Sequence, residues 1–174
     1  MESGNEKHIN AIIAFAFGCD LDGDEIRPGV SNEAIASIVV AGQNINKYPP
    51  QPAIIVQREI NDVFQAKEWD VKSVFEIRKH RVSEKYLDTQ EVAEQAAEIM
   101  HDNDWQAAVV VAHHGHVKRC IKCLEKLGIK SINLGSLQIV PYNKDSSQWW
   151  TRSWFLWWLR EIPTRAYYKL KGWA

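Results

Sequence analysis

Residues 112–119 read Ala-His-His-Gly-His-Val-Lys-Arg, three imidazoles and a guanidinium gathered around one glycine. A helix begins here by its spacing, which puts His116 and Arg119, three apart, on one face. The unpaired N–H groups and positive dipole end of such a start favour phosphate or carboxylate, and Gly115 lets backbone approach a ligand. The chemistry implied is recognition of an anion, with Arg119 as the clamp, His113 and His114 as contacts and His116 as proton donor or acceptor. The alternative is a solvated histidine loop whose arginine pairs with a surface carboxylate.

A second cluster, Gly18-Cys19-Asp20-Leu21-Asp22-Gly23-Asp24-Glu25, holds four carboxylates in six residues. It is not an EF-hand, which requires Gly at the sixth position, where Glu25 stands, and Glu at the twelfth, where Ser31 stands. Were this loop to face the histidines, Asp20 would be the first choice as general base. Gly18 and Asp22 would then contact the ligand, or the loop would hold a hard divalent cation. The alternative is a solvated acidic turn. Cys120 and Cys123 spell C-x-x-C but fall inside a predicted helix rather than at its N-terminus, so core-facing thiols are expected instead of a redox pair. A zinc site lacks further ligands at suitable spacing. G-x-G-x-x-G, Walker and G-x-S-x-G motifs are absent, which disfavours a dinucleotide dehydrogenase, a P-loop nucleotidase and an α/β-hydrolase.

The elements that must position these residues alternate. Apolar runs at 9–17, 53–57, 73–77, 107–112 and 131–134 read as strands, with a further extended piece at 137–141. Helices are expected from Ser31 as N-cap to the prolines at 49–52, over 58–67, over 89–101 behind an Asp88/Glu91 capping box, within 113–128 with Gly128 marking the end, and from about 146 towards 170. Pro163 should break or kink the last. Strand–helix alternation implies a single-domain three-layer α/β/α sandwich. Its sheet would be mostly parallel and Rossmann-like, of about five strands, with ligands at the strands' carboxyl ends where strand order reverses.

Composition fits that reading. The 174 residues carry 21 Lys plus Arg against 22 Asp plus Glu, a formal net charge of −1, with 45% hydrophobic residues, which excludes a disordered chain and a strongly basic nucleic-acid binder. No run approaches the ~20 apolar residues of a bilayer-spanning helix, and MESGNEKH has no signal-peptide core, so a cytoplasmic location is expected.

The run VVVAHHGHVKRCIKCLEKLGI at 109–129 resembles the signature of the YdcF/SanA-like proteins, a strand followed by His-x-x-Arg and a helix. His116 and Arg119 stand on the family's His and Arg, while His113 and His114 replace its Thr-Ser. Residues 12–18, 31–34, 89–91 and 161–172 resemble further family blocks. A glycine-rich loop of the family is replaced by Gln57-Arg58-Glu59. The resemblance implies a Rossmann-like fold and a nucleotide-like ligand such as S-adenosylmethionine, contacted also by Ser31, Thr89 and Glu91. It further implies an association with bacterial envelope biogenesis, and no established reaction.

Eight tryptophans are present, five between Trp149 and Trp158, in a tail whose five Lys and Arg from Arg152 onward are opposed by Glu161 alone. Trp150, Trp154, Trp157 and Trp158 are spaced as one helical stripe. The stripe fits a core helix covering the sheet edge, or a basic amphipathic helix docking at the membrane surface or on a partner. The first weighs more, because a small parallel sheet needs both faces covered.

Overall fold

The computed structural model describes residues 8–22, 25–46, 50–78, 87–133 and 140–174. In chain order these form β1 (Ala11–Ala14), β2 (Asp20–Asp22), β3 (Glu25–Arg27), α1 (Gly29–Gly42), β4 (Ala53–Gln57), α2 (Arg58–Ala66) and β5 (Val74–Ile77). They continue with α3 (Thr89–Asp102), β6 (Ala107–Val111), α4 (Val117–Lys126), β7 (Lys130–Asn133), a 3₁₀ turn at Trp149–Thr151 and α5 (Trp154–Lys171). Five strands make one parallel sheet in the order β5-β4-β1-β6-β7, and β2-β3 is a separate antiparallel hairpin.

The apolar runs build the centre of that sheet because every position is buried. β1 reads AIIA, all four residues fully buried, paired on one side to β4 and on the other to β6. Side chains alternate across a strand, so Ile12 and Ala14 pack with Ile35 of α1 and Ile60 of α2, whereas Ala11 and Ile13 pack with Ala93 of α3 and Cys120 of α4. The result is the three-layer α/β/α sandwich, Rossmann-like in strand order. The chain leaves β1 in opposite directions across the sheet, so the crevice at the carboxyl ends of β1 and β6 is the place where a ligand can enter.

Several local expectations are corrected. Ser31 is not an N-cap: α1 begins two residues earlier behind Pro28, and Ser31, fully buried, donates from Oγ to the Pro141 carbonyl at 2.8 Å. The segment after Gly18 is not simply a polar loop, since it contains the β2-β3 hairpin. The last helix does not start near 146. Ser146 Oγ donates to the Cys19 carbonyl and accepts from Thr151 Oγ1, which bends residues 146–151 into a turn against the end of β1. Gly18 permits that approach: its φ is +72°, and a Cβ there would lie 2.6 Å from both Ser146 Oγ and Thr151 Oγ1. Nor does Pro163 end α5, which runs through it to a left-handed Gly172 cap. The carbonyl that Pro163 leaves without its helical donor belongs to Leu159, on the exposed side where water can serve it. Of the extended piece expected at 137–141, residues 137–139 lie outside the described residues, and 140–141 are not strand.

All three cysteines are unbridged and buried. Burial pushes the Cys123 thiol up to about 12 and Cys120 well above its ordinary value, so both are packing residues of the α3/α4 core. The Asp88/Glu91 capping box forms as expected, with Asp88 Oδ1 accepting from Glu91 N at 2.9 Å and Glu91 Oε2 from Asp88 N at 3.0 Å. Asp88→Ala should cost about 1 kcal/mol and lower the melting temperature by about 2–4 °C for a chain of this size, checked by thermal unfolding followed by circular dichroism.

Candidate functional site

The cavity of interest, about 460 Å³, opens at the carboxyl end of β1. Its floor is Ala16, Phe17 and Gly18, one wall is Thr89 with His116 and Arg119, and its roof comes from the 3₁₀ turn and α5. The last contribution departs from the expected position of the tail. α5 does not cover a sheet edge; it crosses the strand ends, with Trp157 packed into the α1/α2 core and Tyr168 into the α3/α4 core.

What holds α5 there is an ion pair removed from water. Arg119 Nη2 lies 3.2 Å from Glu161 Oε2, the two side chains being 6% and 0% exposed. The guanidinium also sits 5.0 Å from the Tyr168 ring centre and 5.9 Å from that of Trp157, within cation–π range of both. Glu161 Oε1 accepts a second bond, 2.9 Å from Arg165 Nε one turn on. Arg119, expected as clamp for an external anion, thus has an anion supplied by its own chain. Trp157 fits because residue 115 is glycine: a Cβ there would lie 2.6 Å from Trp157 Nε1. The backbone approach that Gly115 allows is that of α5.

His116 is the reactive candidate that the cavity does expose. Its Nε2 is 2.8 Å from Thr89 Oγ1, a residue at the first turn of α3, and both line the cavity. Burial, then the charge of Arg119, holds its pKa well below the ordinary value, so the ring is neutral. A neutral imidazole beside a hydroxyl can exchange a proton with it or with a ligand. Four buried polar atoms of the described cavity lining have no hydrogen-bond partner, His116 Nδ1, Arg119 Nε, Gln148 Oε1 and Trp157 Nε1, and Glu161 Oε2 behind them meets Arg119 as an ion pair only. On the α5 side Arg160 stacks 4.2 Å over the Trp150 ring, and Tyr167 closes the wall.

Of the residues singled out by sequence, the fold gathers Gly18, Thr89, His116 and Arg119 at the cavity. The others are placed elsewhere. His113 is fully buried, stacked 3.8 Å from Phe17, with Nδ1 accepting from Gly115 N. His114 is exposed beside it. Asp20 is half-buried at the start of β2, where its Oδ1 accepts from the Asn143 side chain and packs against Gly29. Asp22 ends β2 opposite Glu25, Glu91 serves the capping box, and Ser31 holds Pro141. Backbone amides that could have met an anion are also committed. Ala16 N and Phe17 N donate to the side chains of Gln57 and Asn32, and the N–H groups of His116 and Val117 to the His113 carbonyl. Sequence reasoning missed the α5 wall, although the one carboxylate in a basic tail, Glu161, was a signal that it answers a buried cation. Among the described residues no group of three or more His, Cys, Asp or Glu is arranged to hold a metal ion.

Two outcomes follow. Glu161→Ala should destabilise the protein by about 3–5 kcal/mol, because Arg119 is then buried without its carboxylate, while Arg119→Met combined with Glu161→Leu should recover most of the loss; urea unfolding of the three chains measures both. The second concerns acid. Burial, with the His114 charge second, pushes His113 down to about 3, against ~6.5 in the unfolded chain. Its contribution is fully present above about pH 6.5 and is lost as pH falls towards 3, because the unfolded chain binds the proton first. Unfolding midpoints across that range should fall less steeply for His113→Leu than for the parent chain.

Comparison of the chain with models of known protein families, with curated proteins and with solved structures finds no match.

Proposed function

We propose that the protein binds a small anionic, nucleotide-like molecule in the cavity at the carboxyl ends of β1 and β6. The observation that carries this reading is the composition of the cavity wall. Trp150, half-buried, and Tyr167, 49% exposed, offer flat aromatic faces to the cavity, and the Arg160 guanidinium lies over the Trp150 ring. A planar base would stack between such rings, and its phosphate or carboxylate would meet Arg160, with the Thr89 hydroxyl and His116 imidazole as further polar contacts. The location is also the one at which open α/β sheets take ligands. It accords with the ligand class implied by the resemblance to the YdcF/SanA-like proteins, S-adenosylmethionine included.

In this reading the Thr89–His116 pair is the site of any proton transfer, His116 accepting at Nε2. Arg119 acts one step removed, keeping α5 closed over the ligand.

Thermal unfolding in the presence of AMP, ADP, ATP, S-adenosylmethionine or inorganic phosphate tests the reading. A true ligand at 100 times its Kd should add about 2.7 kcal/mol, a rise of about 5–10 °C at this chain length. The rise should shrink in Arg160→Gln and Trp150→Ala. No rise with any of these compounds, or one indifferent to both substitutions, overturns the proposal.

A further inference from the structure

Helix α5 buries Trp157, Glu161 and Tyr168 against the body, and the residues on its opposite side ought therefore to be polar. They are not. Phe155, Leu159, Ile162, Ala166 and Leu170 follow one another at steps of four, three, four and four, which places all five on a single face. That face points to solvent: Phe155 is 66% exposed, Leu159 57%, Ile162 65% and Leu170 87%, with Ala166 exposed between them. The stripe runs about 22 Å along the helix at 1.5 Å per residue. It is not the Trp150–Trp158 stripe that spacing alone suggests, because Trp157 turns inward and Trp150 belongs to the preceding turn.

Charge decides what could cover it. Arg152, Arg165, Lys169 and Lys171 are exposed in the same tail, Arg165 and Lys169 along one flank of the stripe, and the sole carboxylate side chain in residues 152–174, Glu161, is fully buried and paired. A second copy laid on this face would bring cations against cations. A surface of negative charge over an apolar interior answers both features, and Trp154 and Tyr167, 61% and 49% exposed, are the aromatic types that settle at the headgroup level. No helix among the described residues is long and apolar enough to cross a membrane, so the contact would lie in the plane of the surface.

We propose that the Phe155–Leu170 face of α5 is a docking surface for an anionic lipid bilayer. Because its inner side is fixed to the sheet ends, the whole stripe is presented at once, with no helix left to order on contact. The proposal stands apart from the cavity ligand, since none of the five stripe residues lines the cavity.

The test is flotation of the full chain with vesicles of phosphatidylcholine alone and of phosphatidylcholine mixed equally with phosphatidylglycerol. Binding to the mixed vesicles only, weakening as salt rises, is expected. Leu159→Ser with Ile162→Ser should reduce that affinity by about 100-fold or more, each side chain withdrawing burial equivalent to at least about tenfold. The melting temperature should not fall, since both residues are exposed. No binding to mixed vesicles, equal binding to both kinds, or binding indifferent to the double substitution overturns the proposal. So does a dimer in light scattering that the same substitution dissolves, which would assign the face to a second copy.

Discussion

The Arg119–Glu161 pair is the contact on which the site depends. Arg119 stands one turn into α4 and Glu161 in the middle of α5, 42 positions later in the chain, and neither charge could be buried without the other. Two aromatic rings, Trp157 and Tyr168, close over the guanidinium from the same helix, so ion pair and stacking fix α5 at one position across the strand ends. Without it the crevice between β1 and β6 would be an open groove. With it the groove becomes a roofed cavity whose polar wall, Thr89 and His116, is supplied by helix starts on the other side.

That arrangement changes the meaning of the histidine-rich turn. His113, nearest the strand, is spent in the core on the Phe17 ring; His114 remains outside; His116 alone reaches the cavity. Gly115 serves the tryptophan that packs over it. The turn therefore does two jobs with adjacent residues, anchoring α5 and presenting one neutral imidazole. The same helix divides its own labour: an inner face for closure, and an outer face whose apolar residues are left in solvent. Those two faces put the cavity proposed for a ligand and the proposed membrane contact on opposite sides of one element.

Much of the architecture was legible in the residues. Runs such as AIIA and AAVVV, short and continuously apolar, suit strands buried on both sides, and the Asp88/Glu91 box marked the start of α3 to the residue. The Ser31 expectation failed because a helix start is set by the chain's path as well as by its caps. Asn32 donates to the Pro28 carbonyl, accepts from Phe17 N and donates to the Gly18 carbonyl, drawing the start of α1 back against β1. The late start of α5 has a similar cause, a turn drawn against Gly18 by Ser146 and Thr151. The bonds that join Asn32 to Phe17 and Gly18, and Ser146 to Cys19, are not local, and spacing reports only local order.

The sequence by itself determined the alternation of strand and helix, the parallel sheet and the loop where His116 and Arg119 would meet at the strand ends, since periodicity and caps are written along the chain. Only the tertiary structure decided which charge Arg119 faces, which tryptophan turns inward, and which side of the last helix is left apolar and bare. Those depend on where a helix lies on the body. A basic, tryptophan-rich helix can be rotated by one residue, about 100°, with little change in its own energy, and it was the buried partner of Glu161 that selected one rotation.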